Sequence, residues 1–508
     1  MAKEEKFVEH IQNGYTTTGD YILIGAAMLE GKAFPEAEIK IPLKTLNRHG
    51  LIAGATGTGK TKTLQILAEN LSEKGIPVLL MDIKGDLSGI AQPAEINEKL
   101  EARHKMIGIE FKPQASPVEI LSLSEQSGVR LKATVCEFGP LLLSRILDLS
   151  DAQTGILAIV FKYCDDQHLP LLDLKDLKII IQFATEEGKE EFEKSYGRIS
   201  KMSTGTILRK IVALEQQGAD LFFGEPSFEV QDLLRKTPEG KAYVNIMRLN
   251  DLQDKPKLFS TFMLSLLAEI YSTFPEKGDS DKPELVLFID EAHLIFREAS
   301  DALLDQIESI IKLIRSKGVG IFFVTQNPTD VPKEVLSQLG LKIQHSLRAF
   351  TANDRKAIKL TAENYPLSEF YDTKEVLTSL GIGEALISAL DEKGRPTPLA
   401  ATMMRAPMSR MDILTPLEIK NLINGSQLFL KYNKNVDRES AYELLTQKIE
   451  RAEDDITKEK AKKQRETIER TASKSRKNSR KSQGAILKIL TSATFIRGVM
   501  SILNKAFK

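Results

Sequence analysis

The run Gly54-Ala55-Thr56-Gly57-Thr58-Gly59-Lys60-Thr61 constrains what this chain can fold into more than any other stretch. It follows an apolar segment, Gly50-Leu51-Ile52-Ala53, that reads as a short buried strand, and it precedes a helical pattern over residues 63–71. The glycines let the backbone turn tightly and point several N–H groups inward. The start of the following helix adds the positive end of its dipole. A strand, a loop of this composition and a helix form a cradle for phosphate. Lys60 places a cation on the β- and γ-phosphates, and the Thr61 hydroxyl suits a Mg²⁺ ion. The expected ligand is ATP, contacted by residues 54–61 and by Lys62.

The chain has 508 residues, enough for roughly three domains of average size. A hydrophobic content of 42% and a charged content of 28% are those of a globular protein with a substantial core. Lys plus Arg and Asp plus Glu both number 70, so the molecule has no overall basic field. That argues against a simple cationic nucleic-acid binder but leaves room for a local basic channel. Cys136 and Cys164 fit neither a C-x-x-C nor a metal-ligand spacing and read as thiols of a reducing compartment. The N-terminus has no apolar secretory core, and no stretch approaches the ~20 apolar residues of a membrane span. The expected location is the cytoplasm.

Strand-like apolar runs recur at residues 21–25, 37–43, 76–82, 242–247, 285–290, 320–325, 342–346 and 384–390, with helical patterns between most of them. Continuous buried strands alternating with helices imply an α/β fold, with a mostly parallel sheet covered by helices on both faces. The chain divides into a short β lead-in (1–45) and the first part of a nucleotide-binding core (46–140). A helical insertion (141–236) and the second part of the core (237–413) follow. A helical appendage (414–450), a charged linker (451–483) and a basic amphipathic helix (484–508) complete it. In that last segment Ile486, Ile489, Leu490, Ala493, Ile496 and Leu503 share one face, which suits docking on another subunit or on an anionic membrane surface.

Further chemistry sits at the ends of the apolar runs. Asp290-Glu291 closes the run from Leu285, where one carboxylate can hold Mg²⁺ and a second can take a proton from the attacking water. Asp290 is the expected metal residue and Glu291 the expected general base. His293 is either a nucleotide contact or a packing residue. Gln326, after the run ending at Thr325, can bind the γ-phosphate or orient water. The segment Asp82-Ile83-Lys84-Gly85-Asp86 falls at the same expected sheet edge, as a supporting element or as a plain glycine turn. Arg348, Arg315 and Arg355 are candidates for a cation offered to a neighbouring subunit.

Taken together, Arg48-His49-Gly50, Asp290-Glu291-Ala292-His293, residues 315–320, Thr325-Gln326-Asn327-Pro328 and residues 345–350 resemble the HerA/FtsK group of hexameric ATPases. Residues 82–89 and 381–398 are similar to a bacterial HerA-like subfamily. The resemblance covers roughly residues 20–410. It implies a RecA-like core, a hexameric ring with ATP sites between subunits, Mg²⁺, Arg348 as the cation acting in trans and Gln326 as the strand-end glutamine. The chain departs from HerA itself at residues 82–86, and its lead-in is too short for the full β-barrel of HerA-type helicases. Two functions fit: a helicase-like motor that moves DNA through the ring, or a protein-moving or scaffolding ATPase without nucleic acid.

Overall fold

In the computed structural model, residues 2–476 are described except for positions 254, 279, 297–300, 350, 435 and 437. The expected basic helix at 484–508, and the charged linker beyond residue 476, lie outside the described residues. Residues up to Tyr442 form one unit, and a second begins at Glu443.

Most of the strands are apolar runs too short to make a buried helix. In chain order they are β1 (Tyr21–Leu29), β2 (Lys32–Pro42), β3 (Gly50–Ala53), β4 (Val78–Asp82), β5 (Val118–Ser122) and β6 (Val129–Arg130). Then follow β7 (Val244–Arg248), β8 (Leu285–Ile289), β9 (Val319–Thr325), β10 (Leu341–Gln344), β11 (Glu384–Ser388) and β12 (Ala400–Met404). They form one sheet in the order β2-β1-β12-β11-β10-β3-β9-β8-β4-β7-β5-β6. From β10 to β6 every neighbouring pair is parallel. From β10 outward through β11, β12, β1 and β2 the pairs are antiparallel. The expected α/β fold with a mostly parallel sheet is borne out. β3, β4, β8 and β9 are buried along their whole length, as a sheet covered on both faces requires.

Residues 1–45 hold more than strands. Helix α1 (Ala2–Gly14) precedes β1 and buries Phe7 and Ile11 against the main core. β1 and β2 form a hairpin that extends the core sheet on its antiparallel side. Five helices lie between β6 and β7: Val135–Ile146, Asp151–Gln167, Leu174–Phe183, Lys189–Tyr196 and Lys201–Glu215. They carry an aromatic cluster of their own, with the Tyr163 and Phe192 rings 4.3 Å apart. The helix Ala441–Arg476 runs unbroken through residue 450, where the sequence reading places a boundary. Its described side chains beyond that point are exposed.

The segment after β12 straps the helix that follows β3, α2 (Lys60–Glu73). Glu69 is buried on α2 and its carboxylate accepts the Met408 N–H at 2.8 Å, the Ser409 N–H at 3.1 Å and the Ser409 hydroxyl at 2.8 Å. Gln65 on the same face donates to Ser409 Oγ at 2.8 Å. Gly89 lies so close beneath the strap that a Cβ there would come within 1.9 Å of the Asp412 carbonyl. Glu69→Ala leaves the Met408 and Ser409 N–H groups buried without an acceptor and is expected to cost roughly 2–4 kcal/mol. Glu69→Gln, which keeps one carbonyl acceptor, falls between. Urea unfolding measures both, and an unchanged midpoint for Glu69→Ala would show that the strap is held by other contacts.

Candidate active site

The register of the central strands brings four chain segments to one edge. Ala53 at the end of β3 lies opposite Thr325 of β9. Ile289 at the end of β8 lies opposite Phe323 of β9 and Met81 of β4. The loop from Gly54, the Gln326 turn, the Asp290-Glu291 pair and the Asp82–Asp86 turn therefore all emerge at the carboxyl ends of parallel strands, where open α/β sheets hold ligands.

The loop is shaped by two glycines whose backbone an ordinary residue would rarely adopt. Gly54 has φ +151°, and a Cβ on it would come 2.5 Å from His345 Cβ. Gly59 has φ +117° and caps α2 without any side-chain hydrogen bond. The first N–H groups of α2 thus have no intrahelical acceptor, which is the arrangement that binds phosphate. Lys60 is buried and its ammonium donates to the carbonyls of Gly54 at 2.7 Å and Ala55 at 3.1 Å. Burial, joined by the nearby Lys84 cation, lowers its pKa against the pull of Glu291 and Asp290. Thr61 Oγ1 donates to Asp86 Oδ2 at 3.3 Å. Lys62 is turned elsewhere: its ammonium donates to the Met411 carbonyl and to Gln65 Oε1.

Asp290 and Glu291 are both buried. Burial pushes the Asp290 carboxyl up to about 7, with Lys84 opposing and the Glu291 charge adding to the rise. For Glu291 burial acts upward, but the Lys84 ammonium, with His293 and Lys60 adding, outweighs it and the pKa is lowered. Lys84 Nζ stands 2.5 Å from Glu291 Oε1. The other oxygen, Oε2, lies 3.2 Å from His293 Nδ1 without the alignment of a hydrogen bond. Glu291 also has φ +46°, a left-handed backbone that a non-glycine residue holds only under constraint from its surroundings. Asp82 is a turn-former: its buried carboxylate accepts the N–H groups of Gly85 at 2.7 Å and of Asp86 and Leu87 at 3.2 Å each. Burial and the Asp86 charge raise its pKa to about 6.

The structure thus joins Lys60, Thr61, Asp290 and Glu291 in one cleft, with Lys84 and Asp86 among them. Gln326 is exposed and lines a neighbouring cavity of about 490 Å³ with His293, Phe296, Asn327 and Asp330. Arg348 is exposed on the segment that follows β10. That segment leans on the nucleotide loop through the Ala55 N–H, which donates to the Ser346 carbonyl at 2.9 Å.

Sequence reasoning gave no role to three residues that hold the loop. His345 is buried between α2 and β11, with Nδ1 2.8 Å from the Glu384 carbonyl and Nε2 2.9 Å from Thr63 Oγ1. A carbonyl only accepts, so Nδ1 carries the proton and Nε2 accepts from Thr63. Arg103, on helix α3 (Glu98–Ile107), donates to the carbonyls of Ile382, Gly383 and Met404. Gly383 in turn donates its N–H to the Thr58 carbonyl at 3.0 Å, and a Cβ on it would meet the Arg103 guanidinium at 3.2 Å. His345 and Gly383 lie inside the 345–350 and 381–398 motifs, which gave the only sequence signals; an arginine that serves carbonyls 280 residues away leaves no local trace.

His49, just before β3, is held the same way, with Nε2 2.8 Å from the Ile311 carbonyl and Nδ1 accepting the Ile321 N–H at 3.0 Å. Burial lowers the pKa of both histidines from 6.5 to about 4. Between these values the unfolded chain binds the proton and the folded chain does not, so each histidine's contribution to stability is lost as pH falls from 6.5 towards 4. The buried carboxyls with raised pKa act in the opposite direction, so the signal lies in a difference. The wild-type unfolding free energy minus that of His345→Gln should fall by roughly 1–3 kcal/mol as pH falls across this window. Denaturant titrations at four or five pH values measure it, and a pH-independent difference would mean that His345 takes up its proton in the fold as readily as in the unfolded chain.

A family model described as helicase HerA-like C-terminal matches residues 28–506. The DNA double-strand break repair helicase HerA of Sulfolobus acidocaldarius is 25% identical over 355 residues, which span 69% of this chain and 64% of that protein. The helicase of the same name from Saccharolobus solfataricus is 26% identical over 386 residues, 75% of this chain and 68% of that protein. The match thus spans just under two thirds of the first relative's length and just over two thirds of the second's. In fold the chain is similar to the plasmid coupling protein TrwB, solved with the non-hydrolysable ATP analogue ADPNP, with a TM-score of 0.50, 15% identity, and coverage of 78% of this chain and 99% of that one. With its motifs at one sheet edge and a family match over most of its length, the chain belongs to the helicase HerA-like C-terminal family.

Proposed function

We propose that the protein is an ATP-hydrolysing ring motor that translocates DNA. The observation that carries the hydrolytic reading is the cleft itself: a glycine loop with a buried lysine faces a buried Asp-Glu pair across one intervening strand. The nucleotide fits the loop at Gly54–Thr61, where the Lys60 ammonium now rests on two loop carbonyls that phosphate oxygens would replace. Mg²⁺ fits too, because Asp86 Oδ1 is a buried carboxylate oxygen without a hydrogen-bond partner beside the Thr61 hydroxyl. Thr61 and Asp290 would hold the ion, with Asp86 beside Thr61 as a further carboxylate and phosphates and waters completing its shell. When bound, the ion would neutralise charge on the β- and γ-phosphates.

The remaining work belongs to side chains. Lys60 orients the phosphates, Glu291 takes the proton of the attacking water, and Gln326 reaches the γ-phosphate or that water from the adjoining strand end. Arg348, exposed on the segment tethered beside the loop, would serve a neighbouring subunit in a hexamer with composite sites, a reading its exposure supports. DNA as the substrate is supported by the family and by the names of the two HerA relatives. Two free cysteines favour a cytoplasmic location, and among the described residues no helix is long and apolar enough to cross a membrane.

Purified ring protein should hydrolyse ATP faster with double- or single-stranded DNA, and the stimulation should shrink steeply between about 50 and 200 mM salt. Turnover that ignores both DNA forms at low salt would set the DNA reading aside in favour of a protein substrate. Lys60→Ala should lower turnover by about 10²-fold or more. Glu291→Gln should bind ATP and hydrolyse it about 10²–10⁴-fold more slowly, and normal turnover in that variant would remove Glu291 as the base.

A further inference from the structure

Nucleotide binding at the loop does not call for Lys84, yet this side chain occupies the centre of the charged cleft. Its backbone is fixed. Asp82 gathers the N–H groups of Gly85, Asp86 and Leu87, and Gly85 takes φ +78° to close the turn. The ammonium therefore moves by its own rotatable bonds alone. It is paired with Glu291 Oε1 at 2.5 Å, and the pair is unequal, with the lysine side chain 35% exposed and the glutamate 9%. Asp86 and Asp290 lie close enough to act on it electrostatically, and Lys60 shares the same surroundings.

The pairing has no evident structural task. β4 and β8, which carry the two residues, are already joined in parallel register from Val78 to Met81. The pair instead engages the carboxylate that hydrolysis needs free. While Lys84 holds Oε1, the carboxylate has only Oε2, which lacks a hydrogen-bond partner, to offer the water, and does so beside an ammonium that opposes proton uptake. A γ-phosphate carries more charge than one carboxylate and offers three oxygens, so it competes strongly for a flexible ammonium.

We propose that Lys84 is a second catalytic cation with two stations: paired with Glu291 when the site lacks nucleotide, and on a γ-phosphoryl oxygen when ATP is bound. The inference rests on the ATPase reading above. Transfer of the lysine frees Glu291 and at the same moment adds positive charge where negative charge develops. In the step that follows, the water oxygen bonds to the γ-phosphorus and its proton goes to Glu291. The bond from γ-phosphorus to the β–γ bridging oxygen breaks, and the electron pair leaves with ADP. ATP arrival and base release thereby become one event, set by a lysine outside the phosphate-binding loop.

The test uses the full chain with Mg²⁺ and compares wild type, Lys84→Met and Lys84→Arg. Lys84→Met should lower kcat by about 10²-fold or more and leave KM within about threefold. Its affinity for ADP·AlF₄⁻ should fall by at least about tenfold more than its affinity for ATPγS, because the contact strengthens towards the transition state. Lys84→Arg, which keeps the charge, should recover part of both losses. Lys84→Met with turnover within about threefold of wild type would overturn the proposal. So would equal losses for the two analogues with no recovery in Lys84→Arg, since that pattern marks a purely structural residue. Failure of the underlying reading looks different: wild type itself would then show no Lys60-dependent ATP turnover, whatever the Lys84 variants do.

Discussion

The charged groups of the nucleotide cleft lie on α2, at the head of which the β3 loop ends, or just beyond the carboxyl ends of β4 and β8, so the hydrogen-bond register of a few parallel strands sets their spacing. Ala53, Thr325, Ile289 and Met81 fall within two residues of one another across β3, β9, β8 and β4. β9 stands between the loop strand and the acidic strand. That single intervening strand leaves about 10 Å between the loop strand and the acidic one. A triphosphate with its metal fills a gap of that order. The cores on both faces keep the register from slipping, because a shift by one residue would turn every buried side chain of a fully apolar strand to a new neighbour.

Within that frame the electrostatics are those of a site poised for ligand. Lys60 and Lys84 face Asp86, Asp290 and Glu291, so carboxylates outnumber ammonium groups. Burial raises the Asp290 carboxyl and lowers the Lys60 ammonium, each a sign that the charged form is costly without a counter-charge from outside. The left-handed backbone at Glu291 and the orphaned oxygen of Asp86 belong to the same picture. Local geometry here is held against its preference by strands that are stable for other reasons.

The parts legible in the sequence were those in which chemistry dictates residue type. The glycine loop, the acidic end of β8 and the polar end of β9 could be placed because an apolar run that stops at a charged or amide side chain is distinctive. The resemblance to the HerA/FtsK group followed from the same residues. What escaped reading depended on distance or on weak patterning. α1 is mostly polar and docks by little more than Phe7 and Ile11. β12 reads Ala-Ala-Thr-Met-Met, with one β-branched residue. Arg103 and Glu69 act on carbonyls and N–H groups some 300 residues away, as in the Arg103–Met404 and Glu69–Ser409 contacts. Lys84 could not be told from part of a plain glycine turn, because the pairing of β4 with β8 is a fact of sheet order and not of sequence order.

The strap over α2 has a consequence for how the protein comes into being. The glycine loop at residue 54 is made well before its sheet neighbours β9 and β10, which begin at residues 319 and 341. Its helix is clamped by Ser409, 340 residues beyond Glu69. Closing such long intervals is slow compared with forming the local helices between them. Some 340 residues must follow Glu69 out of the ribosome before the strap over α2 can close, and a chain that ends within the helical insertion carries the whole glycine motif without β8, β9 or the strap to hold it open.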